Sequence, residues 1–286
     1  MTTTGLRARA GVLLVALFAA ATAIGCATST QRPQTASAAD AHRAPEHLAV
    51  QVLDRVPVTP VFVEGLDYAD GVLYESSGLV GESTVRILDP RTGATRQQRA
   101  VPAVFGEGIA VAGTHVWELT WHDGIVIERD WATLAEIRRI PLTGATEGWG
   151  ACFTGHNVLT SDGSDRIAVR DPDTFAVTRY IQVRDDRGPV TGLNELDCSH
   201  GQLWANVWPT DTLLRMTTDG HVTGVADLGE LHRQTGLTDP DDVPNGIAIT
   251  DGDTAYLAGK QWPYLLRVRF VAPPSASATT NTQGAS

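Results

Sequence analysis

One arrangement of apolar and polar positions returns five times along this chain. A carboxylate or amide stands among apolar or small residues in VFVEGL (61–66), VFGEGI (104–109), ATEGWG (145–150), GLNELD (192–197) and VPNGIA (243–248). With Glu64, Glu107, Glu147, Asn194 and Asn245 as anchors, the intervals are 43, 40, 47 and 51 residues. That is the length of one four-stranded propeller blade. Each anchor leads into a short apolar run. A second run follows: GVLYESSG, THVWELTW, HNVLTSDG, GQLWANVW and DTAYLAGK. A third strand, STVRILDP, GIVIERDW, DRIAVRDP, TLLRMTTD or YLLRVRF, alternates apolar and polar side chains with period two. Turn sequences such as DPRTG, DPDTF and TTDG close it, and ATRQQRAV, AEIRRIPL, AVTRYIQV or HVTGVADL supplies a fourth.

The fifth repeat stops one strand short, after LRVRF. LAVQVLDRVPV (48–58), which precedes the first anchor, can complete it and remove an exposed sheet edge. No stretch sustains a helical period, although GELHRQTGL has room for a turn or a short helix. The predicted fold is all-β: a five-bladed β-propeller, 48–271, whose ring is closed by an N-terminal strand. The anchors open the innermost strands and so point toward one channel mouth. A single such residue need only satisfy backbone groups at a strand start. Five directed at one place, with aromatics nearby, make a site.

The ends read differently. Arg7 and Arg9 precede the apolar segment GVLLVALFAAATAIG, so residues 1–26 read as an export signal. AIGC resembles a bacterial lipoprotein processing site with Cys26 as the lipidated residue, although Ala23 stands where Leu is more usual. An ordinary secretory signal cut near the same point is the alternative. Residues 27–47 are small, polar and Pro-containing and read as a disordered tether; 272–286 read as a disordered tail. The net charge of −11, with only 22 Lys and Arg in 286 residues, excludes a nucleic-acid binder. Beyond Cys26 only Cys152 and Cys198 remain, five and four residues after neighbouring anchors. Export permits a disulfide between them. Two buried thiols packing as hydrophobes are the alternative. Neither has the spacing of a zinc ligand.

Aromatics gather near the anchors. Trp117 and Trp204 stand ten residues after Glu107 and Asn194, with Tyr74 equivalent, and read as packing between blades. Trp121 and Trp208 stand fourteen after the same anchors, at strand ends, and Trp149 lies between two glycines. Large aromatics there are poorly placed for a core and read as ligand contacts. Lys260 is the only lysine in the chain. Lysine is a compact charge with a tunable pKa, which arginine is not. There is no G-x-S-x-G, phosphate loop, HExxH or Cys/His cluster. Carboxylates, amides, indoles and one amine suit metal-free, cofactor-free proton transfer.

Seven segments in order, FVEGLDY…LYESSGLVGESTVRILD, FGEGIA…ELTW, EGWG, SDGSDRI, LNELD…ANVWPTD, NGIA and GKQWP, resemble the plant-type glutaminyl cyclases. These are the glutamine cyclotransferases that also occur in bacteria, unrelated to the zinc-dependent animal enzymes. The resemblance runs from about residue 55 to 270. It implies a five-bladed propeller that converts the N-terminal glutamine of peptides or proteins to pyroglutamate and releases ammonia. It implies Glu107 as proton shuttle. Asn194 and Lys260 are implied to contact the amide oxygen, and Phe62, Phe105, Trp121, Trp149 and Trp208 to be aromatic walls. Glu64 matches a substrate-binding position that is acid or amide in the family. The acidic loop DPDD (239–242) is not accounted for. The expected partners are peptides with N-terminal glutamine, met by an exported monomer, tethered if Cys26 is lipidated. Two rivals stand beside this reading. One is a calcium-dependent propeller hydrolase or lactonase using the five anchors as ligands. The other is a tethered propeller that binds peptides without turnover.

Overall fold

In a computed structural model, which describes residues 44–272, nearly every regular element is a strand. They are β1 (Glu46–Pro57), β2 (Val63–Ala69), β3 (Val72–Ser77), β4 (Thr84–Leu88), β5 (Thr95–Ala100), β6 (Gly106–Ala112), β7 (His115–Thr120), β8 (Ile125–Asp130) and β9 (Glu136–Pro141). There follow β10 (Ala151–Phe153), β11 (Val158–Thr160), β12 (Arg166–Arg170), β13 (Val177–Gln182), β14 (Arg184–Asp185), β15 (Gly188–Pro189), β16 (Leu193–Asp197) and β17 (Leu203–Val207). The last are β18 (Thr212–Met216), β19 (Val222–Asp227), β20 (Pro244–Asp251), β21 (Thr254–Gly259) and β22 (Tyr264–Val271). A single turn of helix, α1 (Gly229–Arg233), falls inside GELHRQTGL. The segments predicted to be an export signal with Cys26, most of the predicted tether and nearly all of the predicted tail lie outside the described residues.

β2–β5, β6–β9 and β10–β13 form three antiparallel four-stranded sheets in chain order. β16–β19 form a fourth run, and β20–β22 a fifth in which β1 pairs antiparallel with β22 from Ala49 to Pro57. The start of β1 also runs parallel to β19, Glu46 opposite Gly224, so the last two runs fuse into one eight-stranded sheet. The inner strands β2, β6, β10, β16 and β20 touch in that cyclic order, and β20 returns to β2. The fold is all-β and propeller-like, a nearly closed array of sheets.

Polarity follows depth. β6 is buried at every position, whereas β5 (TRQQRA) and β9 (EIRRIP) are almost wholly exposed. The charges on these outer strands discourage pairing with another chain. Apolar side chains fill the spaces between neighbouring sheets. Trp117 packs on Phe175 at 4.7 Å between the second and third sheets, and Trp204 stacks on Phe270 at 4.6 Å farther round. Buried ion pairs tie second to third strands, Arg86 to Glu75 and Arg129 to Glu118, both at 2.6 Å. Thr160 takes the carboxylate's place in the third sheet. Burial there lowers the Arg170 guanidinium to about 10. Cys152 on β10 and Cys198, one residue past β16, form a disulfide with Cα atoms 5.7 Å apart.

The register of the repeat differs from the anchor spacing at one place. Gly65, Gly108 and Gly150 stand where inner strands approach most closely, and Gly246 holds the same place in the fifth repeat, at a φ of +120°. A Cβ on Gly65 would lie 2.6 Å from the Ile109 nitrogen, and one on Gly150 2.1 Å from the Asn194 oxygen. The residue before each of these glycines is therefore the true equivalent, and in the third repeat it is Trp149, not Glu147. In the fourth repeat Glu195 takes the glycine's place. Its buried carboxylate accepts the Leu66 N–H at 2.9 Å and the Ala151 N–H at 3.4 Å, linking three inner strands.

Candidate active site

Glu64, Glu107 and Asn194 reach the mouth, and Glu147 and Asn245 do not. The inner strands are bulged at all of these positions but Glu147. Ladder register shifts between Val63 and Gly65, Gly106 and Ile109, Leu193 and Leu196, and Pro244 and Ile247. A bulge re-aims a side chain out of the alternation. At the mouth is a cavity of about 180 Å3 lined by Glu64, Glu107, Asn194 and Lys260 and by Phe62, Phe105, Trp121, Trp149 and Trp208. The nine residues that the resemblance implies for the site thus share one cavity. Leu79 and Asp241 complete it. Asp241 belongs to the DPDD loop, and its unexplained acidity was the only sequence signal for it.

At the floor lies a polar cluster. Lys260 follows β21 and bridges to Phe62 across the seam between the fifth and first runs. Its Nζ lies 3.0 Å from Glu64 Oε1 and 4.5 Å from the centre of the Phe62 ring. It is 7% exposed, so it is no surface lysine. Asn245 does not line the cavity. Its Nδ2 donates to Glu64 Oε2 at 2.7 Å and holds that carboxylate from behind. Burial pushes Glu64 up to about 7 against the opposing pull of Lys260. Glu107 is also buried, and its Oε2 has no partner within the protein, like Asn194 Oδ1. Burial first, and then the charge of Glu64, raise the Glu107 carboxyl well above the usual range. Unpartnered buried polar atoms at a cavity wall are what a bound ligand would satisfy.

The walls are aromatic. Phe62 meets Phe105 edge-on at 6.2 Å, Phe105 meets Trp121 at 5.3 Å, and Trp149 meets Trp208 edge-on at 5.6 Å. Gly78 makes room for this, since a Cβ there would sit 2.2 Å from the Phe105 ring. Trp121 and Trp208 remain 36% and 38% exposed and form the rim. Among the described residues, no group of three or more His, Cys, Asp or Glu side chains is placed to hold a metal. The anchors do not converge as an oxygen cage. Glu64 faces an ammonium, and Glu147 is engaged by indoles rather than aimed at the channel.

The site is therefore a buried acid with an unpartnered oxygen at the floor of an aromatic cavity in a propeller-like fold. The model of the Glutamine cyclotransferase family matches residues 18–270. The chain is 33% identical to a glutaminyl-peptide cyclotransferase of Arabidopsis thaliana over 230 residues, 77% of this chain and 71% of that protein. It superposes on the crystal structure of Myxococcus xanthus glutaminyl cyclase with a TM-score of 0.74 and 30% identity, over 80% of this chain and all of the other. The chain belongs to the glutamine cyclotransferase family.

Proposed function

We propose that this protein is a glutaminyl-peptide cyclotransferase that closes the N-terminal glutamine of peptides and proteins into pyroglutamate. The observation that carries the chemistry is Glu107, buried, raised in pKa and unpartnered at the floor of an aromatic cavity. Ring closure is intramolecular, so the protein has to orient one side chain and move protons. The neutral α-amine nitrogen attacks its own Cδ. A C–N bond forms, and the carbonyl oxygen gains charge beside the Lys260 ammonium and Asn194 amide. Glu107, as carboxylate, takes one proton from the attacking nitrogen and delivers it to the departing one. The Cδ–NH2 bond breaks and ammonia leaves.

The sheets act as the five blades of a propeller, with β1 closing the fifth. The cyclic contact of five inner strands supports this count. The protein works as an exported monomer. Arg7 and Arg9 ahead of an apolar segment support export, as does a disulfide, which persists in oxidising compartments. The mass of the mature N-terminus distinguishes a lipid on Cys26 from a plain cut.

The test is incubation with a Gln-initiated dipeptide in EDTA. A product lighter by one ammonia is expected. Binding without ammonia release would make the protein a peptide-capturing propeller, and activity abolished by EDTA would return the calcium reading.

A further inference from the structure

We infer that Glu147 is a positioning residue for this reaction: its carboxylate joins two groups of wall rings that do not pack on each other and so fixes the orientation of the indoles around the slot that takes the glutamine side chain. Phe62, Phe105 and Trp121 make one continuous aromatic group, onto which His122 stacks at 3.8 Å. Trp149 and Trp208 make another. Among the described residues no ring of the first group packs on a ring of the second. Glu147 spans the gap. Its Oε2 accepts the Trp121 Nε1–H at 2.9 Å and the Trp149 Nε1–H at 2.8 Å, and its Oε1 lies 3.7 Å from His122 Nδ1.

The geometry has a clear logic. An indole has one donor, and holding it adds a directional restraint to the packing that already confines the ring, such as Gly163 and Trp208 against Trp149. A charged acceptor binds such donors more strongly than a neutral one. One oxygen shared by two indoles fixes both rings relative to each other. Glu147 itself does not line the cavity, so its effect passes through the rings. The loop carrying it is docked independently: the Gly148 N–H lies 3.1 Å from the Thr120 oxygen and 3.3 Å from that of Trp121. Removing the carboxylate therefore takes away the shared restraint on the two indoles without undocking the loop.

This inference rests on the cyclotransferase reading, and its test separates the two. Glu147→Ala and Glu147→Gln are compared with wild type on a Gln-initiated dipeptide. Walls contact ground and transition states alike, so loosening them raises KM more than it lowers kcat. Glu147→Ala is expected to raise KM about 10-fold or more with kcat within about 3-fold. Its near-UV circular dichroism should lose indole intensity while Tm stays within a few degrees. Glu147→Gln keeps an acceptor oxygen and should recover most of the KM and the spectrum. Wild-type KM in the Ala variant overturns the inference, as does a KM rise that comes only with a collapse of Tm. If wild type releases no ammonia, the cyclotransferase reading fails separately. Dipeptide affinity by calorimetry then decides, and an unchanged Kd in Glu147→Ala overturns the bridging role.

Discussion

The single residue that matters most is one whose environment opposes its charge. Glu107 is surrounded by apolar rings and lies near the negative charge of Glu64, so its proton is held to unusually high pH. Glu107→Gln keeps the shape and removes the shuttle, and kcat is expected to fall at least about 10²-fold with KM little changed. Near-normal kcat would remove Glu107 from the mechanism. In wild type, kcat needs the ionised form, so the acid limb of its pH profile should stand above the ordinary carboxylate range. Glu64→Gln removes a negative charge and leaves Lys260 unpaired. Both changes favour ionised Glu107, so the limb should move to lower pH; a limb that stays in place would show that the two acids are not coupled. Lys260→Arg tests the ammonium. A guanidinium is bulkier than the ammonium held 3.0 Å from Glu64 and 4.5 Å from the Phe62 ring centre, and its fork presents donors at other points. A loss in kcat/KM of about 10-fold or more is expected, equivalent to about 1.4 kcal/mol. Wild-type kinetics would reduce Lys260 to a structural charge.

At the scale of the element, the inner strands do two jobs that pull apart. They have to pack closely, which Gly65, Gly108 and Gly150 allow, and they have to present polar groups upward, which the bulges allow. The third inner strand is only three residues long. It is also the one cross-linked to its neighbour, through Cys152 and Cys198, across a sequence separation of 46 residues. Replacing both cysteines by serine should cost about 2–4 kcal/mol of stability. Chemical unfolding of the double variant against the oxidised protein measures this, and equal midpoints with equal slopes would refute it. The repeat was legible here because the third strand of each repeat alternates apolar and polar residues and the turns carry Asp, Pro or Gly. The register of the third repeat was not. ATEGWG offers both Glu147 and Trp149, and only the approach of Gly150 to Asn194 distinguishes the equivalent position.

The molecule as a whole buries several acids, Glu64 in the site and Asp67 and Asp197 away from it. Burial raises Asp67 from 3.8 to about 7 and Asp197 from 3.8 to about 6, and Glu64 rises from 4.5 to about 7. A raised acid favours the folded state while protonated. The stability these groups contribute is full below their unfolded values near 4 and is lost as pH rises through 6 to 7. Self-repulsion in a chain of net charge −11 acts in the same direction. Tm is therefore expected to fall between pH 5 and pH 8, and scanning calorimetry across that range checks it. A Tm that rose toward neutrality would mean that the buried carboxylates are ionised and satisfied at little cost.

The sequence by itself determined the all-β repeat and the strand sent back from the N-terminus to pair with β22; its spacing and composition brought out Glu64, Glu107, Asn194, Lys260, Trp121, Trp149 and Trp208, and only the resemblance to the glutaminyl cyclases added Phe62 and Phe105. It could do so because strand alternation, turn chemistry and anchor spacing are local signals, and because residues equivalent in a repeat are brought together by the repeat itself. Only the tertiary structure decided what those side chains do to one another. Asn245 supporting Glu64, Lys260 neutralising it, Glu195 in a ring of glycines, Asp241 at the mouth and Glu147 shared by two indoles are contacts between segments distant in the chain or differing in loop conformation. No spacing encodes them. They arise where backbones converge closely enough for burial and hydrogen bonding to select one arrangement.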